Sequence, residues 1–114
     1  MAPLQFRKLS PVLIVDAIEP CLPFWTERLG FVILAKDGVE VMYQSRDSVR
    51  SDVPALADAP AGSSLYIEVS DIEAVERAVQ GVEIVVPRRQ TFYGADEIGV
   101  REPGGNVVMF AQPS

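Results

Sequence analysis

Two stretches of this chain, VEVMYQS at Val39–Ser45 and NVVMFAQ at Asn106–Gln112, share a Val-Met-aromatic centre. Val41-Met42-Tyr43 lies over Val108-Met109-Phe110, and a glycine, Gly38 or Gly105, closes the turn before each. A repeat of this kind constrains the fold more than any local propensity does. It requires one supersecondary unit to be built twice and the two copies to bury each other's apolar faces.

The elements between the echoes support duplication. LSPVLIVD at Leu9–Asp16 is a short β-branched apolar run and reads as a buried strand. Glu19–Gly30 reads as a helix, because Pro20 and Pro23 are tolerated only in its first turn and Gly30 stops it. FVILAKD and VEVMYQS read as strands joined at Asp37-Gly38, a hairpin signal. Residues 46–63, polar and rich in Pro, Ala and Asp, read as a linker with one short helical turn around Val53–Ala57. A second round follows: strand SSLYIEVSD, a helix capped by Ser70 or Asp71 with Ile72, Val75 and Val79 inward, then strands VEIVVPRRQT, ADEIGVRE and NVVMFAQ.

Alignment of the halves places Ser10–Val15 over Ser64–Val69 at an offset of 54, and Phe31–Gly38 over Ile98–Gly105 at an offset of 67. The 13 extra positions fall after the second helix. Gly38 stands 8 positions after Gly30, enough for one strand, whereas Gly105 stands 24 positions after Gly81. The first copy therefore lacks a counterpart of VEIVVPRRQT, either because the strand is absent or because a stretch is missing before Phe31. The expected architecture is α+β: a single domain spanning 1–114, with module one at about 9–45, the linker at 46–63 and module two at 64–112.

Composition removes several function classes. With 10 basic and 16 acidic residues the net charge is −6, which opposes binding to a phosphate backbone. No apolar run or leader pattern points to a membrane, so a soluble cytoplasmic protein is expected. The absence of histidine rules out Ser-His-Asp and Cys-His chemistry, and Cys21 reads as a packed or idle thiol.

The chain resembles the vicinal oxygen chelate superfamily of glyoxalase I, bleomycin resistance proteins and extradiol dioxygenases. The resemblance is carried by VDAIEPCLPFWTERLGF, by LYIEVSDIEAV and above all by FYGADEIGVREPGGNVVMF, and it spans about Leu9 to Gln112. It implies paired βαβββ modules whose curved sheets form a cleft, the first module here one strand short, and dimers that share or complete the cleft. Metal-using members draw ligands from the first and last strand of each module. Those places fall here on Ser10, Ser64, Met42 and Met109, poor donors for a hard or borderline divalent ion, so no metal and no cofactor is expected.

Strand parity completes the expectation. Ser64, Tyr66 and Glu68 share one face of their strand, and Val107, Met109 and Ala111 share one face of the last. In the first copy Glu40, Met42 and Gln44 take the cleft side. Met42, Gln44, Tyr66, Glu68, Tyr93 and Met109 are the candidate ligand-binding residues, in a mostly apolar pocket with a few orienting groups. Trp25 reads as core, and Arg101 as a fastener of its turn. Glu68 and Glu97 qualify as general bases only if buried; strand-edge carboxylates are commonly solvated. No catalytic residue is assigned. The expected function is metal-free binding of a small organic ligand, favourably a cationic one, in the cleft of a homodimer of the bleomycin-resistance type. The alternative is a glyoxalase-like lyase, isomerase or dioxygenase with an atypical or absent metal site.

Overall fold

The structure is a computed structural model and describes residues 4, 5, 8–31, 34–56, 58 and 62–113. The first copy opens with strand β1 (Val12–Val15), which pairs in parallel with β4 (Met42–Ser45). Between them lie a helical segment and the hairpin β2 (Ala35–Lys36)–β3 (Val39–Glu40). Asp37 and Gly38 both adopt positive φ, 51° and 82°, as the tight turn between two-residue strands requires. The second copy comprises β5 (Ser64–Glu68), helix α2 (Ile72–Ala78), β6 (Ile84–Gln90), β7 (Ala95–Arg101) and β8 (Val107–Pro113). Its sheet runs β5-β8-β7-β6, with β5 and β8 parallel and the other pairs antiparallel.

The two copies share one register. Val12 pairs with Met42 across β1 and β4, and Tyr66 pairs with Met109 across β5 and β8. These are the positions that the offsets of 54 and 67 bring together. The first copy shows no counterpart of β6 among the described residues, so the fold is two βαβββ-type modules with the first one strand short.

Three local expectations are corrected. The first helix is a 3-10 turn at Glu19–Cys21 followed by a π-helical turn at Phe24–Arg28. Pro20 lies within the 3-10 turn and Pro23 immediately before the π turn, first-turn places where a missing N–H costs little. The first strand is shorter than Leu9–Asp16, and VEVMYQS is broken at Val41 into β3 and β4; Val32 and Ile33 of FVILAKD lie outside the described residues. The stretch read as a linker carries helix α1 (Arg46–Asp52), besides a 3-10 turn at Pro54–Leu56. Ser45 caps α1 by accepting from the Ser48 amide at 3.2 Å, and Val49 alone anchors it, which is why no apolar period announced it.

Asp71 caps α2 through the Ala74 amide at 3.2 Å, and Ile72 and Val79 are buried. Leu13, Phe24, Trp25, Phe31 and Val41 of the first copy share one core with Ile72, Val79, Ile98, Val100, Val108 and Phe110 of the second. Both sheets therefore turn their apolar faces to the same core, and their opposite faces point away from it. No helix among the described residues is long and apolar enough to cross a membrane.

The modules are locked by the turn that ends β7. Glu102, buried, accepts from the Asn106 amide and side chain, each at 2.6 Å, and from the Gly104 amide at 2.9 Å. It also accepts from the Tyr43 hydroxyl at 2.5 Å, and Tyr43 in turn accepts from the Trp25 indole N–H at 2.9 Å. A buried carboxylate is costly unless its lone pairs are filled, and here four donors fill them. Burial and the Glu102 carboxylate push the Tyr43 hydroxyl well above its ordinary pKa. Arg101 donates to the Gly105 carbonyl and to Glu83, fastening the same turn.

Candidate functional site

The outward face of the second sheet carries a polar cluster beneath exposed aromatic rings. In the register, Tyr66 on β5 lies beside Met109 on β8, which lies beside Gly99 on β7. One step along, Glu97 of β7 lies between Ala111 of β8 and Arg89 of β6. The Tyr66 hydroxyl donates to Glu97 Oε2 at 2.8 Å, and the Tyr93 hydroxyl donates to the same oxygen at 2.5 Å. Arg89 donates to Oε1 at 3.3 Å. Glu97 is 0% exposed, whereas Tyr66 is 59% and Tyr93 55% exposed. The two phenols roof the carboxylate and present their rings outward.

Sequence supplies each part of this arrangement. Thr91-Phe92-Tyr93-Gly94 forms the tip of the β6–β7 hairpin, and the Thr91 hydroxyl accepts from the Ala95 amide at 3.0 Å. That closure places Tyr93 four residues before Glu97 and above it. Gly99 leaves the surface flat: a Cβ there would collide with the Met109 sulfur and with Val86, so the thioether lies across the glycine beside Tyr66. Phe92, fully exposed, stacks edge-on against Tyr93 at 5.0 Å.

Charge follows the geometry. The bond from Tyr93 holds the Glu97 carboxyl below the usual carboxylate range, opposed by burial and reinforced by Tyr66 and Arg89. The Tyr66 hydroxyl is pushed well above its ordinary value, first by its bond to Glu97 and then by burial. An ionised Glu97 with three donors is a weak base, and its acidity suits it to hold a dipole or a cation rather than to take a proton.

The residues singled out from sequence are distributed unevenly. Tyr66, Tyr93 and Met109 stand together on the outward face of the second sheet. Met42, 45% exposed, and Gln44 stand on β4 of the first sheet, where the Gln44 amide donates to Ser48 at 3.2 Å and to Asp52 at 3.4 Å. Glu68, at the end of β5, lines a separate cleft beside α2. From the sequence Glu97 qualified only as a general base if buried, and its place at the centre had one weak signal, an acid alternating with the inward Ile98 in ADEIGVRE.

The positions that hold metal in related folds do not fit one here. Ser10, Met42, Ser64 and Met109 offer two hydroxyls and two thioethers, and the Ser10 hydroxyl is directed to Glu40 at 3.4 Å. Among the described residues no group of three or more His, Cys, Asp or Glu side chains could hold a metal ion.

No family model matches the sequence, and no curated protein matches it. Solved structures do match. A glyoxalase/bleomycin resistance protein/dioxygenase from Nocardioides superposes with a TM-score of 0.68 at 20% identity, covering 96% of this chain and 85% of its own. A glyoxalase/bleomycin resistance protein/dioxygenase family enzyme from Burkholderia phytofirmans gives 0.75 at 16% identity, covering 92% and 97%. A lactoylglutathione lyase from Agrobacterium tumefaciens gives 0.69 at 16% identity, covering 96% and 95%. The fold is the one that these glyoxalase/bleomycin resistance protein/dioxygenase and lactoylglutathione lyase structures share.

Proposed function

We propose that this chain binds a small organic molecule, without metal and without chemistry, on the face formed by Tyr66, Tyr93 and Met109. The observation that carries this reading is the convergence of two exposed tyrosines on one buried, ionised carboxylate. Aromatic faces above a negative charge attract cationic and aromatic guests, and the adjacent thioether adapts to their shape. The net charge of −6 acts in the same direction at longer range. A second copy of the chain would provide the facing wall, since Met42 and Gln44 and the tyrosine face both point away from the core their sheets share. Sequestration of the bleomycin-resistance type, in the cytoplasm, is the finer form of this reading. Its domain plan is one unit with module one at about 9–45 and module two at 64–112.

The glyoxalase-like enzyme has less support. Its usual donor places are Ser and Met, and Glu97 is held acidic. The test combines sedimentation of the purified protein with thermal shift and tyrosine fluorescence against cationic aromatic compounds, bleomycin included. A dimer whose melting temperature rises with one or more of them, an effect lost in Tyr66→Phe/Tyr93→Phe, supports binding. A monomer that responds to none overturns it.

A further inference from the structure

The helix side of the molecule, away from the tyrosine face, holds a cleft of about 530 Å³ between α2, the end of β5 and the shortened first module. Its size lies within the range of small-ligand sites, roughly 300–1,000 Å³. The cleft follows from the missing strand. In the second module β6 extends the sheet past α2, whereas in the first nothing among the described residues extends past the β2–β3 hairpin. Leu29, Phe31, Val75 and Phe110 form its apolar wall.

Two cations stand at this wall with their heads in known places. The Arg28 guanidinium is held by the carbonyls of Gln80 at 2.7 Å and Ala78 at 3.4 Å, and it forms no ion pair with a carboxylate among the described residues. The Lys36 ammonium lies 3.8 Å from where a Cβ on Gly30 would stand, and its nearest carboxylate, Asp37, is 3.9 Å away and 86% exposed. Two further acids, Asp71 and Glu68, border the cleft. Asp71 is engaged with the Ala74 amide, and Glu68 belongs to the exposed face of β5, opposite Ile67.

We infer that this cleft is a second binding site, selective for a small amphipathic anion such as an aromatic or branched carboxylate. The apolar body lies against Phe31 and Phe110, and the charged end meets Arg28 and Lys36. Charge-assisted hydrogen bonds are about twice as strong as neutral ones, and Arg28 and Lys36 are the charged donors that an anionic end would meet. The inference is independent of the tyrosine face.

The probe is 1-anilinonaphthalene-8-sulfonate, an apolar aromatic anion, titrated against the folded protein with rhodamine 6G as the cationic control. Saturable binding of one probe per chain is expected, displaced by aromatic carboxylates. Lys36→Gln should weaken it about tenfold, the loss of one charge-assisted bond. Ala74→Trp, at an exposed helix position that lines the cleft, should abolish it without lowering the melting temperature. Tyr66→Phe and Glu97→Gln should leave it unchanged, which separates this site from the one proposed above. Absence of saturable binding, binding that survives Ala74→Trp and Lys36→Gln, or equal uptake of the cationic dye by the Tyr66→Phe/Tyr93→Phe variant, whose tyrosine site is removed, would each overturn the inference.

Discussion

Tyr66 and Glu97 stand on β5 and β7, strands separated by β8, yet the Tyr66 hydroxyl reaches across to the carboxylate at 2.8 Å. The bond spans the sheet on its outward face and is joined by Tyr93 from the hairpin tip. Replacement of Glu97 by Gln should therefore loosen both rings at once. The folded carboxyl titrates below its ordinary value, so its contribution to stability is present above about pH 4.3 and is lost as pH falls through the lower folded value. Thermal melts from pH 7 to pH 3 should show a shallower acid limb in Glu97→Gln than in the wild type. Parallel limbs would contradict this.

Tyr43→Phe removes the hydroxyl that joins Trp25 to Glu102. The indole N–H and the buried carboxylate then lose a partner without gaining water. Urea unfolding should show a loss of about 1–3 kcal/mol. The Tyr43 pKa is raised in the folded state, so its stabilisation is complete below about pH 10 and declines at higher pH. The wild type should lose stability above that pH more steeply than Tyr43→Phe does.

Gly104 is a packing requirement. A Cβ there would stand 2.5 Å from Val15 Cγ1 and 3.1 Å from the Cys21 sulfur, both buried in the first module. Gly104→Ala should cost about 1–3 kcal/mol by overpacking, measured by denaturant titration. A neutral result would mean that the turn and the first module are not in contact.

Metal should not matter to this protein. With Ser10, Met42, Ser64 and Met109 at the usual donor places, dialysed protein should carry no stoichiometric Zn, Ni, Mn or Fe. EDTA should leave its melting temperature unchanged. Elemental analysis showing one bound ion per chain would refute the donor argument.

Much of the fold was legible because the repeat is a matter of register. Side-chain period and offset alone brought Val12–Met42 and Tyr66–Met109 into correspondence, and the short interval between Gly30 and Gly38 exposed the missing strand. The α2 cap and the Asp37-Gly38 turn followed from residue type. Helix α1 was hidden because Val49 is its one buried residue, and the π turn because apolar spacing does not separate a regular turn from a widened one.

The site divides along the same line. The sequence determined that no histidine triad can form and that serine and methionine occupy the places expected to hold a metal. It also set Tyr66 on one face of β5 with Ser64 and Glu68, and Met109 on one face of β8 with Val107 and Ala111, since alternation is local. Only the tertiary structure decided that Glu97 is buried, that Tyr66 and Tyr93 meet on it, and that Met42 and Gln44 lie on another sheet. Those facts depend on which strands become neighbours and on how a hairpin tip folds over a sheet. Such contacts join residues tens of positions apart, and no local pattern encodes them.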